Sequence, residues 1–83
     1  MVDLDGVSLS FSLDLALDPI GWACESAHRF EGVRIIEVHP VDGVAASDQE
    51  DVVTAIQKVV SGSDRFAGRH RVVFPGGVEV DLT

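Results

Sequence analysis

From Val7 to Leu17 the chain places an apolar residue at every second position: Val7, Leu9, Phe11, Leu13, Leu15 and Leu17, separated by Ser8, Ser10, Ser12, Asp14 and Ala16. A two-residue period is that of a strand with one buried and one solvated face. The segment is therefore expected to form a long strand. Val2 and Leu4 fall on the opposite parity, which puts a bulge or the true strand start at Gly6 and leaves residues 1–6 as a tail expected to fray.

Punctuating residues then suggest the remaining elements. Asp18-Pro19 reads as an N-cap followed by proline at the first helical position, and Gly32 as a left-handed stop, giving a helix over about Pro19 to Glu31. Its buried stripe would be Ile20, Ala23, Cys24, Ala27 and Phe30. Trp22 lies about 200° around that axis from Ile20 and is expected to project into solvent. The β-branched run from Val33 to Val38, stopped by Pro40, reads as a strand. Ser47 and Glu50 form an S-x-x-E capping box, with Asp48 and Asp51 adding charge that suits a helix N-terminus. That helix carries the stripe Val52, Val53, Ile56, Val59 and Val60, turns Gln57 and Lys58 to water, and ends at Gly62. The last segment reads as a hairpin about Pro75-Gly76-Gly77, with Gly77 left-handed. This register pairs Phe74 with Val78 and Val72 with Val80 on one face, and Arg71 with Asp81 and Val73 with Glu79 on the other.

The expected order is β-α-β-α-β-β. It corresponds to an α+β fold, a two-layer sandwich of a four-stranded mixed sheet with two helices on one face. No repeat or linker divides the chain, so residues 1–83 are expected to form a single domain.

Charge narrows the partners. Fourteen acidic residues against six basic ones give a net charge of -8. Affinity for nucleic acid comes mainly from Lys and Arg neutralising phosphates, so neither nucleic acid nor an anionic membrane suits this chain. A protein with a basic surface does. The charge is also lopsided: six carboxylates and one arginine occupy the first 31 residues, whereas Lys58, Arg65, Arg69 and Arg71 lie in the last 26. The single cysteine, Cys24, excludes an internal disulfide, and the amino-terminal residues lack the basic start and apolar run of a signal peptide. A soluble, unprocessed cytoplasmic protein is expected.

Few residue groups suggest chemistry. Cys24, His28 and Glu31 would align on one side of the expected helix, but a second ligand pair is missing for a metal, and an inert core thiol is the favoured reading of Cys24. His39 and Asp42 have the composition of an acid/base pair, though loops after strands contain such residues for turn formation. Gly76-Gly77 is read as a turn, since no helix or P-loop pattern follows. No catalytic residue, cofactor or metal is assigned, and the chain is read as a non-enzyme. Trp22 with Asp14, Asp18, Glu25 and Arg29 is the expected partner-binding face. Arg65, Phe66, Arg69, His70 and Arg71 form a basic edge patch suited to an anionic ligand or a strand partner.

Val38-His39-Pro40, then Asp42, a long amphipathic helix ending Ser61-Gly62, Phe66, and the run from His70-Arg71-Val72-Val73-Phe74-Pro75-Gly76-Gly77 to Val78-Glu79 resemble the second half of a PAS sensor domain. The resemblance covers residues 38–82. It departs at Val41 and Gly76, where that family places Asp, in the long loop before the helix, and throughout the first 37 residues. It implies a ligand cavity between helices and sheet near Phe11, Phe30, Ile56 and Phe74.

Two functions are thus expected from the sequence. The first is a small acidic cytosolic protein-interaction module of inhibitor or immunity type, non-catalytic, with a basic protein as partner and an edge strand able to pair in a homodimer. The alternative is a PAS-like small-molecule sensor.

Overall fold

The computed structural model describes residues 4–62, 66 and 68–82. In chain order its elements are helix α1 (Leu4–Leu17), a 3-10 turn (Asp18–Ile20), strands β1 (Trp22–Phe30) and β2 (Val33–Pro40), helix α2 (Gln49–Ser61), and strands β3 (Arg69–Val73) and β4 (Glu79–Leu82). The strands form one mixed sheet in the order β1-β2-β3-β4, parallel between β2 and β3 and antiparallel at the two outer pairs. The α+β class and the four-stranded mixed sheet match the expectation. The order does not: the chain runs α-β-β-α-β-β, its first two elements having exchanged type.

The exchange has a physical cause. An apolar residue at every second position is also two interleaved series at i, i+4, i+8, one on each side of a helix. As α1, the segment buries Leu9, Leu13 and Leu17 completely and leaves Val7, Phe11 and Leu15 exposed. Four of its six apolar positions are leucine, a strong helix former, and only Val7 is β-branched. Full burial of each leucine contributes roughly 1.5–3 kcal/mol. Gly6 lies inside this helix instead of marking a bulge, and the backbone is helical from Leu4 instead of frayed to residue 6. Residues 1–3 of the expected tail lie outside the described residues.

The expected helix over Pro19 to Glu31 is replaced by the 3-10 turn and β1. Glu31 and Gly32 have φ of 50° and 81°, and they join Phe30 to its cross-strand partner Val33. Two consecutive positive φ values in a two-residue loop make a type I′ hairpin, whose twist matches that of the strands it connects. Gly32 therefore turns a hairpin where a helix stop was expected. Once β1 pairs with the β-branched run of β2, the strand is favoured over an isolated short helix. A bulge between Cys24 and Ser26 resets the parity of β1, so that Cys24 and Ala27 both stand opposite core residues, Val38 and Ile36.

Trp22 is buried, contrary to the expectation that it projects outward. Gly21, at φ 79°, ends the 3-10 turn in a conformation that L-residues rarely adopt, and a Cβ there would run into the Ala45 carbonyl oxygen. This close approach brings the loop before α2 against the start of β1. The Ser47 N–H donates to the Ile20 carbonyl and the Val41 N–H to the Gly21 carbonyl, both at 2.9 Å. The Trp22 indole Nε1–H donates to the Ser47 carbonyl at 2.8 Å, and its ring meets Phe74 edge to face at a centroid distance of 5.7 Å. Ser47 is consequently spent on this junction. Asp48 takes the N-cap position of α2 without a side-chain cap bond, in place of the expected capping box.

The second half follows expectation closely. α2 covers the expected segment, with Val52 and Ile56 fully buried and Val53, Val59 and Val60 packed at the core margin. Gly62 ends it, though at φ -79° and not left-handed. In the β3–β4 hairpin Val72 pairs with Val80, Arg71 with Asp81 and Val73 with Glu79, and the Phe74 N–H donates to the Val78 carbonyl at 2.7 Å. Ile36, Val38, Val72, Phe74 and Leu82 join the three α1 leucines and the two α2 residues in one core.

Two substitutions separate helix phase from strand phase, because Leu13 and Leu15 would share one face of a strand. Leu13→Ala is expected to cost about 2–5 kcal/mol and Leu15→Ala no more than about 0.5 kcal/mol, read by urea denaturation. Equal losses would contradict the helix. Trp22→Phe leaves the Ser47 carbonyl without its donor and is expected to cost about 1–3 kcal/mol in the same assay; no measurable change would mean that the indole bond does not hold the junction.

Candidate functional site

The residues expected to form one partner face are dispersed. Trp22 belongs to the core. Asp14 is exposed, but its Oδ1 accepts the Cys24 backbone N–H at 2.8 Å and so ties α1 to the edge strand β1. Asp18 is exposed at the start of the 3-10 turn, Glu25 is exposed at the β1 bulge, and Arg29 is exposed at the far end of β1. Asp14 belongs to α1 and Asp18 to the 3-10 turn that follows it.

The outer side of α1 carries a feature absent from the expectations. Val7, Phe11 and Leu15 are 61, 66 and 64 % exposed, and their spacing stacks them in a continuous stripe. Asp14 stands at i+3 from Phe11 within the helix, and Asp18 follows in the 3-10 turn. Strand parity would have assigned all six apolar residues to one buried face, which is why the stripe was not legible.

The expected basic edge patch divides in two. Arg71 lies on the sheet face opposite the core, where its Nε donates to Asp81 Oδ1 at 2.7 Å and its Nη1 lies 3.8 Å from Glu79. His70 and Phe66 are buried, while Arg69 is exposed beside them; Arg65 lies outside the described residues. Phe66, Arg69 and His70 line a small recess together with Arg29, Gly32, Arg34 and Gly68. Arg34, which no motif singled out, is buried, and its Nη1 donates to the Ala27 carbonyl at 3.1 Å. Burial lowers the pKa of His70 below its ordinary 6.5; its ring nitrogen Nδ1 opposes this by bonding the Gly68 carbonyl at 3.1 Å, and the charges of Arg34 and Arg29 lower the pKa further. At neutral pH the imidazole is uncharged.

The catalytic and metal alternatives gain no geometry. In β1, Cys24 points to the core side, and His28 pairs with Ile35 on the other face, so the side-by-side alignment with Glu31 does not form. Burial raises the Cys24 thiol pKa most; its bond with Ser10 opposes the rise, and Asp14 adds to it. A protonated, buried thiol is a poor nucleophile. His39 and Asp42 are exposed and share no hydrogen bond among the described residues; the His39 ring instead contacts the Pro40 carbonyl. Ser26 lies 3.4 Å from His28 Nδ1 and donates to Glu37 Oε2 at 2.7 Å. In a nucleophilic triad the histidine stands between hydroxyl and carboxylate, whereas here the hydroxyl occupies the middle and its proton is already committed. Among the described residues no group of three or more His, Cys, Asp or Glu side chains is arranged to hold a metal, and no helix is long and apolar enough to cross a membrane. Phe11 and Phe30 are exposed while Ile56 and Phe74 are buried, so these four side chains do not line one cavity.

Comparison with models of protein families, with curated proteins and with solved structures gives no match. Functional inference therefore stands on the surfaces described above.

His70 makes stability depend on pH in a defined direction. The unfolded chain binds a proton there at pH values where the folded protein does not, so this contribution to stability falls as pH drops below about 6.5, down to the lower folded-state pKa. Between about pH 7 and pH 5, His70→Gln is expected to flatten the decline in unfolding free energy measured with urea. An unchanged slope would exclude His70 as its source.

Proposed function

We propose that this chain is a small, acidic, non-catalytic protein-interaction module that presents the outer side of α1 to a partner. In this reading it is a two-layer sandwich: both helices cover the sheet face formed by Ile36, Val38, Val72 and Phe74, and α1 turns its second apolar stripe outward. The observation that carries the proposal is the exposure of Val7, Phe11 and Leu15 along one helix side. Stacked large apolar residues at helical spacing suit docking in an apolar groove of another protein, where burial of each side chain contributes to affinity. A net charge of -8 favours a groove with basic margins and accelerates association with it. A homodimer through the edge strand β4 is less favoured, because Glu79 and Asp81 of two copies would be brought together.

The test is affinity capture from a lysate followed by calorimetry with the identified partner. Phe11→Ser combined with Leu15→Ser is expected to weaken binding at least about tenfold while leaving the melting temperature within a few degrees, since neither residue is buried. Added salt is expected to slow association. Retained affinity in the double variant, or binding through α1 that salt accelerates, would reject this assignment. Sedimentation separates a hetero-complex from self-association, and a stable homodimer through α1 would replace the proposed partner with a second copy.

A further inference from the structure

Between α2 and the end of α1 runs a groove of about 620 Å³, room for the side chains of a second element. Ala16 of α1, Ile20 of the 3-10 turn, and Ala55 and Val59 of α2 line it and are half-buried. Asp51, Thr54 and Lys58 stand exposed along its α2 side, at spacings of three and four that place them on one flank of that helix.

Asp51 and Lys58 are seven residues apart, about 10.5 Å along the helix axis. Neither has an opposite charge three or four residues away on its own helix. Among the described residues neither side chain makes a hydrogen bond or an ion pair. Their midpoint falls between Thr54 and Ala55. A two-fold axis through that point and perpendicular to α2 sets a second α2 antiparallel to the first, and each Asp51 then stands opposite the second copy's Lys58. The crossing point is suited to close approach. Ala55 offers only a methyl group, and the Thr54 hydroxyl already donates to the Glu50 carbonyl at 3.0 Å, so it requires no partner there.

We infer that this flank of α2 is a self-complementary interface for a second copy of the chain, packed antiparallel about a two-fold axis. Two Asp51–Lys58 pairs fix its register, and burial of Ile20, Ala55 and Val59 supplies its apolar part. Charge selects α2 as the occupant. α1 of a second copy contains no basic residue to answer Asp51, and pairing through the edge strand β4 brings like charges together. The interface uses none of Val7, Phe11 and Leu15, so it stands apart from the α1 reading.

The test is sedimentation velocity of the full chain over a range of concentrations at about 0.15 M salt, where repulsion between two acidic chains is screened over about 8 Å. A reversible dimer is expected. Lys58→Glu and Asp51→Lys, each alone, set like charges opposite one another twice per dimer and are each expected to raise the dissociation constant about tenfold, with circular dichroism reporting a folded chain. Mixed in equal amounts, the two variants regain opposite charges at both contacts and are expected to form a mixed dimer of near-native affinity. Phe11→Ser combined with Leu15→Ser is expected to leave the dimer unchanged. A monomer at every concentration, a dimer that tolerates Lys58→Glu, or an equimolar mixture of folded variants that stays monomeric would overturn the interface. A dimer lost in the Phe11 and Leu15 double variant but kept in Lys58→Glu would overturn it too, and would place self-association on α1. If Asp51→Lys does not fold, Thr54→Glu replaces it: two carboxylates beside the axis are expected to dissociate the dimer, and a dimer that persists would count against the interface.

Discussion

The arrangement depends on the junction at Gly21 and Trp22. Here the chain leaves α1, reverses through the 3-10 turn and enters the sheet, while the loop leading to α2 passes against it. Glycine at φ 79° leaves room for the Ala45 carbonyl, and the indole N–H then reaches the Ser47 carbonyl at 2.8 Å. A partly buried carbonyl that loses its donor carries a desolvation cost, so this bond acts with the two backbone bonds of the junction to fix how the two halves of the chain meet. The same ring packs edge to face on Phe74 and so extends the junction to the far side of the sheet.

With that junction in place, α1 has one orientation available. Asp14 reaches the free N–H of Cys24 on the edge strand and keeps Leu9, Leu13 and Leu17 over the sheet. The opposite stripe is then exposed whatever its composition. An exposed series of Val, Phe and Leu lowers solubility and contributes little to folding, and the proposed interaction rests on that exposure. In the proposed interaction, the acidic character of the chain would favour a basic counterpart.

The basic residues follow a different logic. Arg71 is neutralised within its own hairpin by Asp81 and Glu79. Arg29 and Arg34 stand opposite one another where β1 ends and β2 begins, near His70, whose pKa burial lowers most and their charges lower further.

Where a segment's structure is decided by its own residues, the sequence was sufficient. The Pro75-Gly76-Gly77 loop favours the register that carries Arg71 to Asp81 and Val72 to Val80, and the stripe from Val52 to Val60 has the helical period. The first 32 residues lacked such a constraint. Alternating apolar positions from Val7 to Leu17 satisfy a strand on one face or a helix on two, and Gly32 serves a helix stop or a hairpin equally well. The choice came from burial of three leucines against a sheet and from pairing of β1 with β2, both contacts between residues distant in the chain. The candidate sites fell on the same side of that division: the residue types were readable, but the exposure of Phe11, the burial of Trp22 and the meeting of Arg29 with Arg34 arise only when strands and helices are brought into register in three dimensions.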